Sequence, residues 1–137
     1  MQQKEGTAQV AIKILVVDDE RAIVESLREI IESAGYDVQA TCSGEEALAT
    51  ALEFCPKILL SDVLMPEMNG FELALQIKKH CPDCRLLLFS GQAATAELAQ
   101  RFGPTFTSQG YRFELLPKPF HPAALLRKLE QSLTHPV

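Results

Sequence analysis

The sequence of 137 residues lacks any apolar stretch long enough to cross a membrane. Its longest apolar runs, such as Ile14–Val17 and Leu86–Phe89, are far shorter than the roughly 18 residues that a spanning helix needs. The segment Met1–Gln9 is polar and lacks the apolar centre of a signal peptide. We therefore expect a cytoplasmic protein that makes no contact with a membrane.

Basic residues are scarce and form no run. The chain has 13 Lys and Arg against 18 Asp and Glu, which gives a net charge of -5. Such a chain cannot neutralise many phosphates, so we expect no direct binding to nucleic acid. With 47% hydrophobic residues, the length fits one globular domain that needs neither a disulfide nor a metal to hold its core.

Cysteine is also too rare for a disulfide framework, because the chain has only Cys42, Cys55, Cys81 and Cys84. Cys81 and Cys84 have CxxC spacing, but this pair follows a helical pattern and precedes a strand, whereas redox pairs stand at the start of a helix. The remaining cysteines and His80 do not have zinc-finger spacing. We expect four reduced structural cysteines.

Short apolar runs alternate with segments of helical period along the chain. The predicted strands are Ile12–Val17, Tyr36–Ala40, Ile58–Ser61, Arg85–Ser90 and Arg112–Leu116. Strict alternation of strands with helices, and continuous apolar strands, indicate a parallel sheet with helices on both faces. Ligands of such sheets bind beyond the carboxyl ends of the strands.

The predicted helices are marked by their apolar faces and their ends. The first has the face Ile23, Leu27, Ile30, Ile31 and Ala34, and the next ones begin near Ser43, Phe71, Ala93 and Pro122. Ser43 with Glu46 has capping-box spacing. Gly103-Pro104 predicts that the fourth helix ends at Phe102, which leaves Gly103–Gly110 as an irregular loop.

Polar residues whose side chains can bind a metal or take part in catalysis follow the predicted strands. Asp18 and Asp19 follow the first strand and Asp62 the third, Ser90 ends the fourth, and Lys118 follows the fifth. Any one of them alone is an ordinary turn residue. Together they place three carboxylates, a hydroxyl and an ammonium on one rim of the sheet, and clustered carboxylates need a compensating cation. Oxygen ligands of this kind suit Mg²⁺.

Four segments in this order resemble the receiver domain of two-component response regulators. They are ILVVDDE at Ile14–Glu20, DVLMPEMNG at Asp62–Gly70, FSG at Phe89–Gly91 and PKPF at Pro117–Phe120. The resemblance covers residues 11–134 and implies a flavodoxin-like, doubly wound, five-stranded parallel sheet of strand order 2-1-3-4-5. Residues 1–10 are then expected to form a flexible tail, with no output domain after the last helix.

The resemblance also implies a role for each residue at the rim. Asp62 would be the phosphoacceptor, and Asp18, Asp19, Asp62 and the backbone carbonyl of Val63 would bind Mg²⁺. Lys118 would pair with Asp62 before transfer and with the phosphoryl group afterwards. The peptide bond between Lys118 and Pro119 would be cis. Ser90 would supply the switch hydroxyl beside the small Gly91.

Two departures from the family pattern concern the switch. Leu115 stands where the family usually has an aromatic residue, and Phe113, which has the same strand parity, is an alternative for that role. The segment between Ser90 and Lys118 is longer than usual. Because Gly103–Gly110 reads as a loop with few buried contacts, we expect it to open readily and to reorder on activation.

The resemblance implies a phosphorylatable signalling switch, not an enzyme with a separate substrate. Its partners would be a sensor histidine kinase or histidine phosphotransfer protein and an unidentified downstream protein, whether the receiver stands alone or is a piece of a larger regulator. The alternative is a Mg²⁺-dependent aspartyl-phosphate phosphohydrolase, although Leu64 occupies the position of its second carboxylate. A nucleotide-binding flavodoxin-like module would need a Gly-rich phosphate loop after the first strand, where this sequence has Asp18-Asp19-Glu20-Arg21 instead.

Overall fold

Five strands alternate with five helices in the computed structural model, which describes residues 11–91 and 93–134. The strands are β1 (Lys13–Val17), β2 (Asp37–Thr41), β3 (Ile58–Asp62), β4 (Arg85–Ser90) and β5 (Glu114–Pro117). The helices are α1 (Arg21–Ser33), α2 (Gly44–Phe54), α3 (Gly70–His80), α4 (Ala93–Gln109) and α5 (Pro122–Thr134). None of the described helices is long and apolar enough to span a membrane. The predicted tail, residues 1–10, lies outside the described residues.

The strands form one parallel sheet in the order β2-β1-β3-β4-β5, which confirms the predicted fold. Its central strands are apolar on both faces because helices cover both, and every side chain of Ile14–Val17 is fully buried. The register pairs Asp62 with Phe89 and Ser90 with Pro117. This register brings the ends of β3, β4 and β5 to one rim.

Two hydrophobic cores lie on opposite faces of the sheet. On one face, α2, α3 and α4 contribute side chains that include Ala51, Phe71 and Phe106. On the other face, α1 and α5 contribute Leu27 and Leu129 among others. The helices therefore divide between the faces as a doubly wound sheet requires.

Side-chain caps fix the starts of α2 and α3. The Ser43 hydroxyl accepts the Glu46 backbone N–H at 3.1 Å, as the sequence predicted. At α3, the Asn69 side chain accepts the Glu72 N–H at 2.9 Å, and the Glu72 carboxylate accepts the Asn69 N–H at 3.0 Å. This reciprocal cap fixes the start of α3 a few residues after Asp62.

The predicted end of the fourth helix at Phe102 is wrong, because α4 continues through Pro104 to Gln109. A proline inside a helix costs about 3 kcal/mol, partly through a clash with the Cβ of the residue before it. Gly103 has no Cβ and therefore avoids that part of the clash. Burial of the Phe106 side chain, which is 1% exposed, stabilises the helix by about 1.5–3 kcal/mol. Long-range burial thus offsets the local helix-breaking signal.

An aromatic cluster anchors the second half of α4. The Phe106 ring centroid lies 6.1 Å from that of Phe71, 4.8 Å from that of Phe113 and 6.4 Å from that of Tyr111. The interpretation of Gly103–Gly110 as a loop with few buried contacts is therefore wrong, and the proposed reordering of that loop loses its basis. The Phe113 ring packs in this cluster, whereas Leu115 is 41% exposed, and a switch role for Phe113 stays a prediction.

Candidate functional site

Three carboxylates meet at the carboxyl end of the sheet. Asp18 and Asp19 follow the last residue of β1, and Asp62 is the last residue of β3. Because β1 and β3 are paired parallel neighbours, these ends lie side by side. Each residue offers a carboxylate oxygen within 4.8 Å of the other two; Asp18 and Asp62 are buried and Asp19 is exposed. The sequence prediction of this cluster is confirmed.

Asp18 is held in place but is not fully hydrogen-bonded. Its Oδ1 accepts the Glu20 backbone N–H at 2.9 Å, and its own N–H donates to the Thr41 carbonyl at 3.3 Å. Its Oδ2 is buried and has no hydrogen-bond partner among the residues that the structure describes. Burial raises the pKa of the Asp18 carboxyl from 3.8 to about 6, against the lowering effect of the Glu20 N–H.

Asp62 is 8% exposed and lies beside the lysine that follows β5. The distance from Asp62 Oδ1 to Lys118 Nζ is 3.3 Å. Burial raises the pKa of the Asp62 carboxyl above its ordinary value, although the charge of Lys118 and its hydrogen bond to the carboxylate act in the opposite direction. The carboxylate is therefore desolvated and only partly compensated.

Lys118 faces two carboxylates at once. Its Nζ lies 3.7 Å from Asp18 Oδ2 as well as 3.3 Å from Asp62 Oδ1, and it stands 4.9 Å from the centroid of the Phe89 ring. Its backbone N–H donates to the Ser90 carbonyl at 2.8 Å. The predicted cis bond between Lys118 and Pro119 is confirmed. One ammonium thus stands against three carboxylates, which leaves a formal excess of negative charge.

The loop after Asp62 requires a glycine where α3 begins. The Gly70 backbone N–H donates to the Val63 carbonyl at 2.8 Å. A Cβ at position 70 would lie 2.5 Å from the Asp62 carbonyl oxygen and 3.0 Å from the Val63 Cα. Gly70 therefore allows α3 to begin directly against the loop that follows Asp62, which explains the last residue of the DVLMPEMNG segment.

An open cleft of about 910 Å³ lies in front of these groups. Asp19, Asp62, Leu64, Gly91 and Lys118 are among its lining residues. Ser90 is half-buried at the end of β4 and is not among the lining residues, so its predicted contact with a ligand stays a prediction. Leu64 places an apolar side chain where an aspartyl phosphohydrolase would need its second carboxylate.

Thr95 lines the same cleft, and sequence reasoning did not identify it. It is 2% exposed, and its hydroxyl has no hydrogen-bond partner within the described part of the chain. In the sequence it is one polar residue of a weakly periodic helix. Only the packing of α4 in the folded chain brings Thr95 to the cleft, beside Phe89 and Gly91.

The donor set fits a hard divalent cation. Three carboxylates lie within reach of one another. Among the described residues no hydrogen-bond donor reaches the buried Oδ2 of Asp18, and the Lys118 ammonium stands 3.7 Å from it. Mg²⁺ binds through one or two carboxylates and keeps several waters, which the open cleft can accommodate. Among the described residues, these three aspartates are the one cluster of three or more His, Cys, Asp or Glu side chains that could hold a metal ion.

Comparison with protein families and curated proteins adds an independent finding. A family model described as the response regulator receiver domain matches residues 14–130. Response regulator MprA of Mycobacterium tuberculosis (strain ATCC 25618 / H37Rv) is 33% identical over 124 residues, which cover 90% of this chain and 51% of MprA. MprA of Mycobacterium avium (strain 104) is 34% identical over 122 residues. The chain spans about half the length of the curated relatives it matches.

The chain matches solved structures of the same fold over nearly the full length of those structures. The chemotaxis response regulator CheY4 of Vibrio cholerae is 30% identical, has a TM-score of 0.74 and matches over 90% of this chain and 99% of its own. A CheY-like response regulator receiver domain protein from Methanospirillum hungatei JF-1 is 28% identical, with a TM-score of 0.78 over 90% of this chain and 94% of its own.

Proposed function

Because this chain belongs to the response regulator receiver domain family, we propose that it is a signalling switch that is phosphorylated on Asp62. The phosphoryl donor is a sensor histidine kinase or a histidine phosphotransfer protein, and the phosphorylated form acts on a partner protein. The observation that carries this proposal is the Asp62 carboxylate, which lines an open cleft 3.3 Å from the Lys118 ammonium and beside two further aspartates.

Access and charge favour Asp62 over the other two aspartates as the nucleophile. Asp18 is fully buried, does not line the cleft, and uses Oδ1 to accept the Glu20 N–H. Asp19 lines the cleft but is exposed, with no ion pair to Lys118 of the kind that Asp18 and Asp62 make. Asp62 alone combines a place on the cleft with a close ammonium.

The chain supplies the nucleophile and one positive charge. A carboxylate oxygen of Asp62 attacks the phosphorus of the donor's phosphohistidine, so a P–O bond forms as the P–N bond breaks. The imidazole leaves with the bonding electron pair and takes up a proton. Lys118, already between Asp18 and Asp62, is placed to pair with a phosphoryl oxygen of the product. Gly91 keeps this approach open, because even a Cβ there would lie 3.1 Å from the Lys118 Cβ.

The residues that would hold Mg²⁺ are Asp18, Asp19, Asp62 and the Val63 backbone carbonyl. That carbonyl accepts one hydrogen bond, from Gly70, and therefore keeps a lone pair for a metal. When bound, Mg²⁺ compensates the negative charge that accumulates on the phosphoryl oxygens during transfer. The fit rests on the three clustered carboxylates and on Asp18 Oδ2, which accepts no hydrogen bond from the described residues.

The proposal is tested with a small-molecule phosphodonor such as acetyl phosphate, with Mg²⁺, followed by intact-mass measurement. We expect one phosphoryl increment on the wild-type chain and none on Asp62→Asn. Asp37→Asn is the matched control, because Asp37 is an exposed aspartate at the start of β2, at the other end of the sheet. A chelator should suppress the increment. An increment on Asp62→Asn equal to that of the wild type would contradict the assignment.

A further inference from the structure

Two cysteines that are far apart in the sequence meet at the amino end of the sheet. Cys55 follows α2 and Cys81 follows α3, and their Sγ atoms lie 2.7 Å apart although the residues are separated by 26 positions. We propose that Cys55 and Cys81 form a reversible disulfide when the protein meets a hydroperoxide. This inference concerns the end of the domain opposite Asp62 and does not depend on the proposed function.

The backbone holds both cysteines in position for the bond. The Cys55 N–H donates to the Ala51 carbonyl at 2.9 Å, and the Cys81 N–H donates to the Ile77 carbonyl at 2.7 Å. A disulfide bond is about 2.05 Å long, and the two sulfurs already lie 2.7 Å apart. Neither helix needs to unwind to bring the sulfurs together.

Exposure assigns different roles to the two thiols. Cys55 is exposed, so a peroxide in solution reaches its sulfur, whereas Cys81 is 3% exposed. Because Cys81 is buried beneath Cys55, a peroxide in solution does not reach its sulfur. Cys55 is the residue that is oxidised first, and Cys81 is the resolving thiol.

The reaction is balanced with a hydroperoxide, ROOH, as the oxidant. The Cys55 sulfur attacks the terminal peroxide oxygen, which gives a sulfenic acid and the alcohol ROH as the O–O bond breaks. The Cys81 sulfur then attacks the Cys55 sulfur and displaces hydroxide, which takes the Cys81 proton and leaves as water. The two thiols lose two hydrogen atoms in total, and an external thiol reverses the change by exchange.

The remaining cysteines do not compete for the bond. Cys84 is fully buried, and its thiol donates to the Arg85 carbonyl at 3.5 Å. Cys42 precedes α2 and therefore lies at the opposite end of that helix from Cys55. The structure places the Cys81 sulfur against Cys55, a contact that the CxxC spacing of Cys81 and Cys84 does not indicate.

The disulfide would close a covalent ring around a functional segment. Residues 55–81 include β3, the Asp62 loop and α3. A cross-link that closes such a ring restricts the unfolded chain, so the oxidised protein should unfold at a higher temperature, by on the order of 5–15 °C. In a reducing compartment a bond of this kind is transient and reports oxidant exposure.

The test is brief treatment of the full chain with hydrogen peroxide, followed by alkylation of free thiols, intact-mass measurement and peptide mapping. We expect an intramolecular Cys55–Cys81 link that dithiothreitol reverses, with the upward shift in unfolding temperature lost on reduction. Cys42→Ser and Cys84→Ser should still form the link, and Cys55→Ser, an exposed change that leaves the core intact, should not.

Three outcomes would overturn the proposal. They are a Cys81–Cys84 link, a link between two chains, or further oxidation of Cys55 while Cys81 remains open to alkylation after unfolding. Because the readout is the covalent state of the cysteines, it is independent of whether Asp62 is phosphorylated.

Discussion

At the carboxyl end of the sheet no hydrogen-bond donor of the described residues reaches the buried Asp18 Oδ2, whereas at the amino end the buried Lys78 ammonium donates to the Cys84 carbonyl at 2.7 Å. Lys78 also stands 5.7 Å from the centroid of the Tyr111 ring. Both groups are desolvated, since burial raises the pKa of Asp18 and lowers the pKa of Lys78. The Lys78 ammonium has a hydrogen-bond acceptor at 2.7 Å, whereas the nearest cation to Asp18 Oδ2, the Lys118 ammonium, stands 3.7 Å away.

This difference in hydrogen bonding between Asp18 and Lys78 indicates that the amino end of the sheet stabilises the fold, whereas the carboxyl end is suited to bind a ligand. Buried polar groups with partners help to specify a packed core, whereas an unpartnered buried charge costs free energy until a ligand arrives. The rings of Phe106, Tyr111 and Phe113 also pack together near Lys78, and Phe106 links them to Phe71 at the start of α3. We therefore expect substitutions at the two ends to affect stability and phosphorylation in different proportions.

The largest effect on stability is expected at the amino end, for Phe106→Ala. The change removes a fully buried ring from the aromatic cluster, and we expect the free energy of unfolding to fall by about 3–5 kcal/mol. Urea unfolding measures this value, and phosphorylation by acetyl phosphate should persist wherever the variant is folded. Leu52→Ala, at a side chain that is 59% exposed, is the control and should change stability little. A loss below about 1 kcal/mol would mean that the second half of α4 is not packed.

The contrast between Phe106 and Gly103-Pro104 also explains what the sequence could predict. Alternation of elements and the residues at strand ends follow from local patterns, so the fold and the cluster of Asp18, Asp19, Asp62 and Lys118 were predictable. The continuation of α4 was not, because a local helix-breaking signal competes with burial against residues distant in the chain. No local rule weighs those two effects.

The same limit applies to Thr95, Cys55 and Cys81. Thr95 acquires its place in the cleft only through the packing of α4, and the two cysteines meet only because α2 and α3 pack side by side. Spacing along the chain does not indicate that Cys55 and Cys81 meet. Contacts between separate helices and strands are therefore the feature of this molecule that local sequence patterns do not predict.

The next largest effect is expected at the carboxyl end, for Gly70→Ala. Its Cβ would lie 2.5 Å from the Asp62 carbonyl oxygen, so the loop that follows Asp62 must move. We expect a loss of about 1–3 kcal/mol in the free energy of unfolding and a clear fall in the rate of phosphorylation. Urea unfolding and time-resolved intact mass measure the two effects.

Gly35→Ala is the matched control for Gly70→Ala. Gly35 has a φ of 97° and nothing within 4 Å of an added Cβ, so its substitution strains the backbone without a collision. It should lower stability but leave the phosphorylation rate unchanged. If both variants lose phosphorylation in proportion to stability, Gly70 has no special role beside Asp62.

A gain in stability is expected for Asp18→Asn when divalent cations are removed. The substitution takes away a buried negative charge that faces Asp62 and Asp19, and we expect the free energy of unfolding to rise by about 1–2 kcal/mol. The same variant should lose most of its Mg²⁺-dependent phosphorylation. Asp37→Asn should change neither quantity, and an equal loss of stability in both variants would contradict the comparison of the two ends.

The smallest effect, about 1 kcal/mol, is the pH dependence of stabilisation by Mg²⁺. In the cation-free protein the folded state holds the Asp18 proton more tightly than the unfolded chain does, because its pKa is raised from 3.8 to about 6. Stability from this group is therefore present below pH 3.8 and is lost as the pH rises through 6. Mg²⁺ needs ionised carboxylates, so its upward shift of the unfolding temperature should be larger at pH 8 than at pH 5. Comparing that shift at the two pH values, in the wild type and in Asp18→Asn, cancels the titration of groups elsewhere. Equal shifts at both pH values in the wild type would show that the raised pKa of Asp18 does not govern cation binding.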